Sequence, residues 1–254
     1  MLRNQLIKSR KNHSKIKWRS HEVLRIEGFS DAVFAFAMTL LVVSLEVPET
    51  FSEMKHGLYG VFGFAICFIM LFMIWYEQYI YFRLFSLNDL RTIVLNALLL
   101  FVVLIYVYPL KFLFSLLTMG NSFEHDGVMM QRIQNSDEIR ELMVIYSSGF
   151  CLVYFVLFLL YLNAYKKRAV IGLNAIESYC TKSEIYKHIT MISIGMFSLV
   201  LSCILNDGYA GLSGMAYMII GPALGILFSF RSKQLKKIFT AEEIAAHESW
   251  LHEE

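Results

Sequence analysis

Long runs of apolar residues alternate with short polar segments along most of the chain, a pattern that predicts helices crossing a membrane. Six runs share this character and lie at residues 26–47, 58–80, 91–117, 142–163, 187–205 and 210–230. At about 1.5 Å per residue, runs of this size approach the length needed to cross a hydrocarbon core of about 30 Å. We therefore expect an all-α, polytopic membrane protein with six transmembrane helices per chain.

The composition agrees with this pattern. The chain of 254 residues is 57% hydrophobic and 17% charged, and its mean hydropathy is +0.52. Soluble domains usually carry about 25% charged residues. The sequence contains no HExxH, GxSxG or Walker A motif, so we assign no catalytic residues and expect no enzyme.

The cysteines give no sign of a metal site or a disulfide framework. Four are present, and no pair has CxxC or metal-ligand spacing. Three lie within apolar runs, where a thiol behaves as a small hydrophobe. We expect neither a disulfide, a bound metal nor a cofactor.

The basic residues predict how the spans are oriented. We place both termini in the cytoplasm, joined by an even number of spans. All but four of the 23 Lys and Arg residues then lie on the cytoplasmic side, as the positive-inside rule requires. The four exceptions are Lys55, Lys111, Arg132 and Arg140.

This orientation divides the chain into three parts. We expect a cytoplasmic basic arm at residues 1–25, a six-span transmembrane domain at 26–230 and a cytoplasmic helical tail at 231–254. The arm has no signal-peptide cleavage pattern and suits contact with anionic lipid headgroups better than with nucleic acid. Thr240 is the expected N-cap of the helix in the tail.

Polar residues of the first three runs fall at one predicted depth, near the cytoplasmic boundary. Ser30 and Asp31 follow the start of the first run. Trp75 and Gln78 precede the end of the second run, and Asn96 follows the start of the third. These side chains can satisfy one another's hydrogen bonds. We favour a network that fixes helix packing over a proton relay or an ion site, because polar side chains commonly join membrane helices.

Helical geometry separates two faces on the first run. Asp31 lies on one face and points away from a stripe on the other. At about 100° per residue the stripe consists of Phe29, Ala32, Phe36, Thr39, Leu40, Val43 and Val47. Periodicity alone leaves open whether this stripe faces lipid, a neighbouring helix or a pore.

Residues 25–31, Arg-Ile-Glu-Gly-Phe-Ser-Asp, match the pattern RxxxFSD. This motif at the start of a first span resembles the signature of the lysosomal potassium-channel family and its prokaryotic homologues. The second run ends in Trp75…Phe85, which is similar to the family's W-x-x-H…F pattern, with Gln78 in place of the histidine. Asn96 and Pro109 also stand at familiar positions, so the resemblance covers most of the chain.

The resemblance implies a homotetramer in the cell membrane, in which the first helix of each subunit lines a central, potassium-permeable pore. It places a hydrophobic constriction at Phe36, Leu40 and Val43, and a hydroxyl layer that favours potassium at Thr39. Potassium is then the permeant ion rather than a cofactor, and the expected partners are further copies of the chain, lipid and monovalent cations. The implied motif and interhelical network consists of Arg25, Phe29, Ser30, Asp31, Trp75, Gln78 and Asn96.

Alternatives remain open from the sequence. The Thr39 hydroxyl could bond back to its own helix at the i−4 carbonyl instead of facing an ion. A secondary or proton-coupled transporter using Asp31 and Glu77 is the main alternative function. A membrane scaffold without conduction is a third. Flux through the purified protein in liposomes separates passive, coupled and absent transport.

Overall fold

The computed structural model describes residues 15–20, 22–43, 51–125, 128–205 and 207–251. In these ranges the elements are mostly α-helical, with one short hairpin of β1 (Ser122–His125) and β2 (Val128–Gln131) and a 3₁₀ helix at Asp207–Ile219. The α-helices are α1 (Arg25–Val43), α2 (Phe51–Phe85), α3 (Leu90–Met119), α4 (Ser136–Lys166), α5 (Arg168–Ile171), α6 (Ala175–Ile204), α7 (Ile220–Ile238) and α8 (Ala241–Trp250).

Five segments of the described residues are long and apolar enough to cross a membrane. They are Val61–Phe85, Leu90–Leu116, Asp137–Lys166, Ala175–Ile204 and Gly211–Ile238, which correspond to the second to sixth predicted runs. The first predicted run corresponds to α1, whose described part has 19 residues. Its expected end at residue 47 lies outside the described residues, so the total of six spans stays a prediction.

The helices pack in an order that places α1 on two neighbours. Helix α1 contacts α2 and α3, α3 contacts α4, and α4 makes the most extensive contact of all with α6. The 3₁₀ helix lies against α4 and α6, and α7 contacts α6. Large side chains such as Tyr81, Leu99, Leu157 and Tyr161 are fully buried between these helices.

Two glycines let α4 approach both of its main neighbours closely. A Cβ atom at Gly149 would overlap the ring of Tyr106 on α3. A Cβ atom at Gly195 on α6 would lie 2.6 Å from the Cys151 Sγ. Small residues at such contacts are a common way to pack helices in a membrane.

Helix α6 begins earlier than the hydrophobic pattern predicts. The fifth run was expected to start at residue 187, but the helix starts at Ala175. A capping box of Asn174 and Glu177 closes its first turn, because each side chain bonds the other residue's backbone N–H. Hydropathy detects the apolar part of a helix and not the polar turns that precede it. In the tail, the same device confirms Thr240 as N-cap, with Glu243 as its partner.

The sixth run differs from a plain α-helix. Residues Asp207–Ile219 form a 3₁₀ helix, and the α-helical part begins only at Ile220. A continuous 3₁₀ segment of this length is unusual, since its hydrogen bonds are poorer than those of an α-helix. Pro109, in contrast, does not end its helix, because α3 continues to Met119.

The hairpin between α3 and α4 was not predicted. Its antiparallel register pairs Ser122 with Gln131 and His125 with Val128. The Asn121 side chain closes its base, since the Asn121 Nδ2 donates to the Ile133 carbonyl at 2.9 Å and the Ile133 N–H donates to the Asn121 Oδ1 at 2.7 Å. The all-α class therefore holds for the described residues apart from this one element.

Residues 15–20 form a segment, called the strap below, that crosses the ends of several helices. The Arg19 Nη2 lies 2.7 Å from the Glu177 Oε2 in the first turn of α6. The Arg19 and Ser20 N–H groups donate to the Arg83 carbonyl at the end of α2. The strap thus joins α2 to α6. Residues 1–14 of the predicted arm lie outside the described residues, and lipid contact by the arm stays a prediction.

Candidate pore helix and its polar network

The two faces of α1 have opposite environments. Ser30, Phe34, Ala37 and Leu41 recur at helical spacing and are each at most 1% exposed, because α2 and α3 cover them. The stripe on the other face is open. Phe36 is 57% exposed and Leu40 is 41% exposed, and Phe29 and Thr39 are exposed as well. One side of α1 is therefore fixed within the bundle, and the other needs a surface outside this chain.

A carboxylate–indole hydrogen bond fixes α1 to α2. The Trp75 Nε1 donates to the Asp31 Oδ1 at 2.7 Å. Because the acceptor is a carboxylate, this bond is stronger than one between neutral groups. Asp31 remains exposed in the single chain, while Trp75 is half-buried.

A second set of bonds joins all three helices. The Gln78 Nε2 donates to the Asn96 Oδ1, and the Asn96 Nδ2 donates to the Ser30 Oγ at 2.9 Å. The Ser30 hydroxyl in turn donates to the Ile26 carbonyl at 2.7 Å. Ser30, Gln78 and Asn96 are each at most 2% exposed. Their donors and acceptors are matched, and none of the three side chains titrates near neutral pH, so the arrangement suits packing rather than proton relay.

The structure brings together five of the seven residues of the expected network. They are Ser30, Asp31, Trp75, Gln78 and Asn96. Phe29 lies instead on the open face of α1. Arg25 is exposed, and the described residues offer it no hydrogen bond or ion pair.

Sequence reasoning missed an ion pair at the foot of α1. The Arg83 Nη2 lies 3.3 Å from the Glu27 Oε2, and both side chains are largely buried. Glu27 occupies one of the variable positions of the RxxxFSD pattern, so the motif gave no reason to single it out. The predicted depth of the two residues could have identified the pair, because Glu27 and Arg83 both belong at the predicted cytoplasmic boundary.

Within the candidate constriction, the Thr39 hydroxyl has a partner on its own helix. The Thr39 Oγ1 donates to the Phe36 carbonyl at 2.7 Å, three residues back rather than four. The hydroxyl oxygen keeps its lone pairs while its hydrogen is engaged. The side chain of Val43 lies outside the described residues.

The two carboxylates of the transporter alternative do not share a site. Asp31 is bound by Trp75 on the side of α1. Glu77 forms an ion pair with Lys187 on α6, at 2.8 Å. Trp75 and Glu77 are two residues apart and so point to opposite sides of α2.

A further charged corner joins the α2–α3 loop to the end of α4. Burial would raise the pKa of the Asp89 carboxyl, but hydrogen bonds from Lys167 and Thr92 outweigh burial and lower this pKa to about 2. The Lys167 Nζ lies 2.8 Å from the Asp89 Oδ2. Asp89 is therefore a fixed negative charge at neutral pH.

Among the described residues, no group of three or more His, Cys, Asp or Glu side chains could hold a metal ion. The chemistry of the site is that of a helix with one anchored face and one open face, the latter apolar except for Thr39.

Comparisons with known proteins point to one family. The family model for the endosomal/lysosomal potassium channel TMEM175 matches residues 25–109, which include the network and the open face of α1. A protein named potassium channel from Marivirga tractuosa is 37% identical over 230 residues, covering 87% of this chain and 92% of that protein. Another protein named potassium channel, from Streptomyces collinus, is 30% identical over 93 residues, covering 34% of this chain and 44% of that protein.

Solved structures agree. A crystal structure of a variant of the potassium channel MtTMEM175, bound to a nanobody fusion protein, matches with a TM-score of 0.74 and 38% identity over 86% of this chain and 97% of that one. A TMEM175 homologue from Chamaesiphon minutus shares the fold, with a TM-score of 0.53 and 22% identity over 82% of this chain and 96% of that one. The relatives are channels and not enzymes, and potassium is for them a permeant ion rather than a cofactor. With this extent of identity and coverage, the chain belongs to the TMEM175 family of potassium channels.

Proposed function

We propose that this protein is a homotetrameric, potassium-permeable channel of the cell membrane, with both termini in the cytoplasm and four copies of α1 around a central pore. The observation that carries the proposal is the contrast between the two faces of α1. Its polar face is anchored to α2 and α3 by Ser30 and Asp31, while the face with Phe36, Thr39 and Leu40 is open. If four copies of α1 surround a pore, the open face turns toward the axis and the face bonded to α2 and α3 keeps its contacts.

The constriction in this proposal is short. Along a helix, Phe36 and Leu40 are about 6 Å apart, and Val43 lies about 4.5 Å beyond Leu40. Four copies of these side chains form a narrow apolar section about 10 Å long. Such a section resists ions by dewetting and conducts when it widens.

Thr39 supplies the polar atoms between these apolar layers. Its hydroxyl donates to the Phe36 carbonyl, which leaves the oxygen lone pairs to face a partly dehydrated cation. Bonding back to the helix and facing an ion are therefore compatible roles for this side chain. The described part of the chain offers Arg25 no hydrogen bond or ion pair, and Asp31 and Trp75 position α1 rather than touch the ion.

The test is potassium flux through purified protein in liposomes. Phe36→Ala widens the narrowest apolar layer and should raise the passive potassium flux about tenfold, the effect of lowering a barrier by about 1.4 kcal/mol. Phe101→Ala on α3 is the matched control, because Phe101 is 61% exposed, much as Phe36 is, but lies on another helix. Flux should not change in the control. Equal flux in both variants removes Phe36 from the gate, and a native mass spectrum without tetramers removes the four-copy pore.

A further inference from the structure

Several cations on the side of the chain that carries the strap are neutralised by carboxylates. Three others, Arg168, Lys182 and Arg231, are held on tyrosine rings, and no ion pair joins any of them to a carboxylate in the described part of the chain. The carboxylate pairs, for comparison, are Lys15 with Glu248, Arg19 with Glu177, Arg83 with Glu27, Lys167 with Asp89, and Lys187 with Glu77 and Glu184.

The rings hold these cations in place. The Arg168 Cζ lies 4.7 Å and the Lys182 Nζ 5.2 Å from the centroid of the Tyr165 ring. The Arg231 Cζ lies 3.9 Å from the centroid of the Tyr179 ring. A cation over an aromatic face is attracted to it but keeps its full positive charge. The three side chains are therefore ordered without being neutralised.

The three cations belong to one surface around the first turns of α6. The Arg231 Nε donates to the Ser183 Oγ at 3.0 Å, and Ser183 follows Lys182 in the sequence. Lys182 in turn shares the Tyr165 ring with Arg168. We call Arg168, Lys182 and Arg231 the basic patch.

The basic patch borders the ends of three predicted apolar runs. Arg168 follows the run at 142–163, Lys182 precedes the run at 187–205, and Arg231 follows the run at 210–230. These three run ends lie on one side of the membrane in the orientation proposed above, so the patch belongs at headgroup depth on that side. Two exposed apolar side chains lie near the patch in the sequence: Val170, 86% exposed, is two residues from Arg168, and Ile189, 40% exposed, is about two helical turns from Lys182 on the same face of α6. They offer contacts for acyl chains beside the charged groups.

We propose that the basic patch binds the phosphate headgroup of an anionic lipid in the adjacent leaflet, which is the cytoplasmic leaflet in the orientation proposed above. Guanidinium groups bind phosphate oxygens through N–H donors, and the exposed Arg168 offers them here. Arg231, whose three nitrogens donate to Ser183, Gln234 and Tyr179, contributes mainly its positive charge, as does Lys182. The acyl chains lie along Val170 and Ile189. This lipid site is independent of the pore, since none of its residues belongs to α1.

The proposal is tested by native mass spectrometry of the full chain titrated with phosphatidylglycerol or phosphatidylcholine. The test variant carries Arg168→Gln and Lys182→Gln, two exposed residues whose loss leaves the buried contacts of Arg231 intact. Its matched control carries Lys236→Gln and Lys237→Gln, which remove two exposed charges from α7. Phosphatidylglycerol affinity should fall by about 25-fold in the test variant, about fivefold for each cation lost near an anionic surface. In the control it should change less than twofold, and binding of phosphatidylcholine should not change.

Two results overturn the proposal. Equal loss of phosphatidylglycerol affinity in both variants means diffuse attraction to basic residues rather than a site. Displacement of phosphatidylglycerol by millimolar glycerol phosphate means a phosphate site without lipid selectivity. Potassium flux through the test variant in neutral lipid should equal that of the unaltered protein, which separates failure of this proposal from failure of the pore.

Discussion

The α1–α3 side of the molecule and the α4–α6 side both bury helix surface in a membrane, but they use different chemistry. Between α1, α2 and α3 the polar contacts come from amide, indole and carboxylate groups gathered at one level. Above that level the interface is apolar. The opposite face of α1 is left open, so few contacts hold this helix and each of them matters for its position.

On the α4–α6 side the polar contacts are small hydroxyls. The Ser147 and Ser198 Oγ atoms lie 3.1 Å apart, and the Ser202 Oγ donates to the Ser213 Oγ at 2.8 Å. The Tyr217 hydroxyl donates to the Ser147 Oγ at 3.0 Å. With Gly195, which lies against Cys151 of α4, they let α4, α6 and the 3₁₀ helix approach closely.

The two sides should therefore differ in how a mutation affects the stability of the protein and the flow of ions through it. Close packing among α4, α6 and the 3₁₀ helix depends on shape, and it gives a base that resists displacement. The network on α1 depends on a few directional bonds, and it fixes the rotation of one helix. A change on the α4–α6 side should therefore cost stability, and a change in the α1 network should alter ion flow.

The largest loss of stability should follow Gly149→Ala. The added methyl group overlaps the ring of Tyr106, so the free energy of unfolding should fall by about 1–3 kcal/mol. Thermal unfolding of the purified protein measures this loss. Gly221→Ala is the control, because a Cβ atom there meets nothing within 4 Å. A Gly149→Ala protein as stable as the control would contradict the dependence of α4 on close packing against its neighbour α3.

Asn96→Ala should cost less stability but change function. It leaves Gln78 without an acceptor and Ser30 without a donor, at a cost of about 1–2 kcal/mol for hydrogen bonds between membrane helices. The Asp31–Trp75 hydrogen bond and the Glu27–Arg83 ion pair still hold α1, but its rotation is less restricted, so potassium flux in liposomes should change severalfold.

Asn163→Ala provides the matched control for Asn96. Asn163 is also a buried amide, 6% exposed, and its Nδ2 donates to the Thr92 Oγ1 at 3.1 Å. This bond joins α4 to α3 and does not involve α1. It should cost similar stability and leave flux per folded channel unchanged. The reverse outcome, in which only Asn163→Ala alters flux, would indicate that α4 rather than α1 controls potassium flux.

The smallest effect should come from the charged corner of Asp89 and Lys167. The pKa of Asp89 is lowered to about 2 from an ordinary value of 3.8, so its stabilisation is present above pH 3.8 and is lost as the pH falls through about 2. Asp89→Asn should lower the free energy of unfolding by about 1 kcal/mol or less at neutral pH.

The difference in unfolding temperature between Asp89→Asn and the unaltered protein should thus shrink between pH 4 and pH 2. Asp137→Asn serves as a control, because the Asp137 side chain is 70% exposed and its nearest cation, Arg140, lies 3.5 Å away. A pH-independent difference at Asp89 would show that the ion pair contributes nothing.

Much of the α1–α3 side could be anticipated from the sequence because its signals are local or periodic. Ser30, Asp31, Trp75, Gln78 and Asn96 lie at similar predicted depths on three apolar runs. The structure joins them in two hydrogen-bonded sets, Asp31 with Trp75, and Ser30 with Asn96 and Gln78. The stripe of Phe36 and Leu40 follows from helical periodicity. Whether that stripe lines a pore is a matter of assembly, which periodicity within one chain does not address.

The remaining features depend on pairings that are distant in the sequence. Arg19 and Glu177 are 158 residues apart, and nothing in the local sequence of either residue indicates that the two form a pair. The hairpin depends on the side chain of Asn121, and four-residue strands are too short to give a periodic signal. The start of α6 could have been predicted from the capping-box spacing of Asn174 and Glu177. The apolar run, which begins at residue 187, indicated a later start.

The strap brings the beginning and the end of the described chain into contact. The Lys15 carbonyl lies 2.8 Å from the His247 Nε2 of α8, and the Ser20 carbonyl accepts a bond from the same arginine, Arg83, that pairs with Glu27 of α1. Removing the first twenty residues would therefore also remove a contact of the last helix and leave His247 with its bond to Asn174. The last described helix therefore rests on the segment that precedes the first one, although almost the whole sequence separates them.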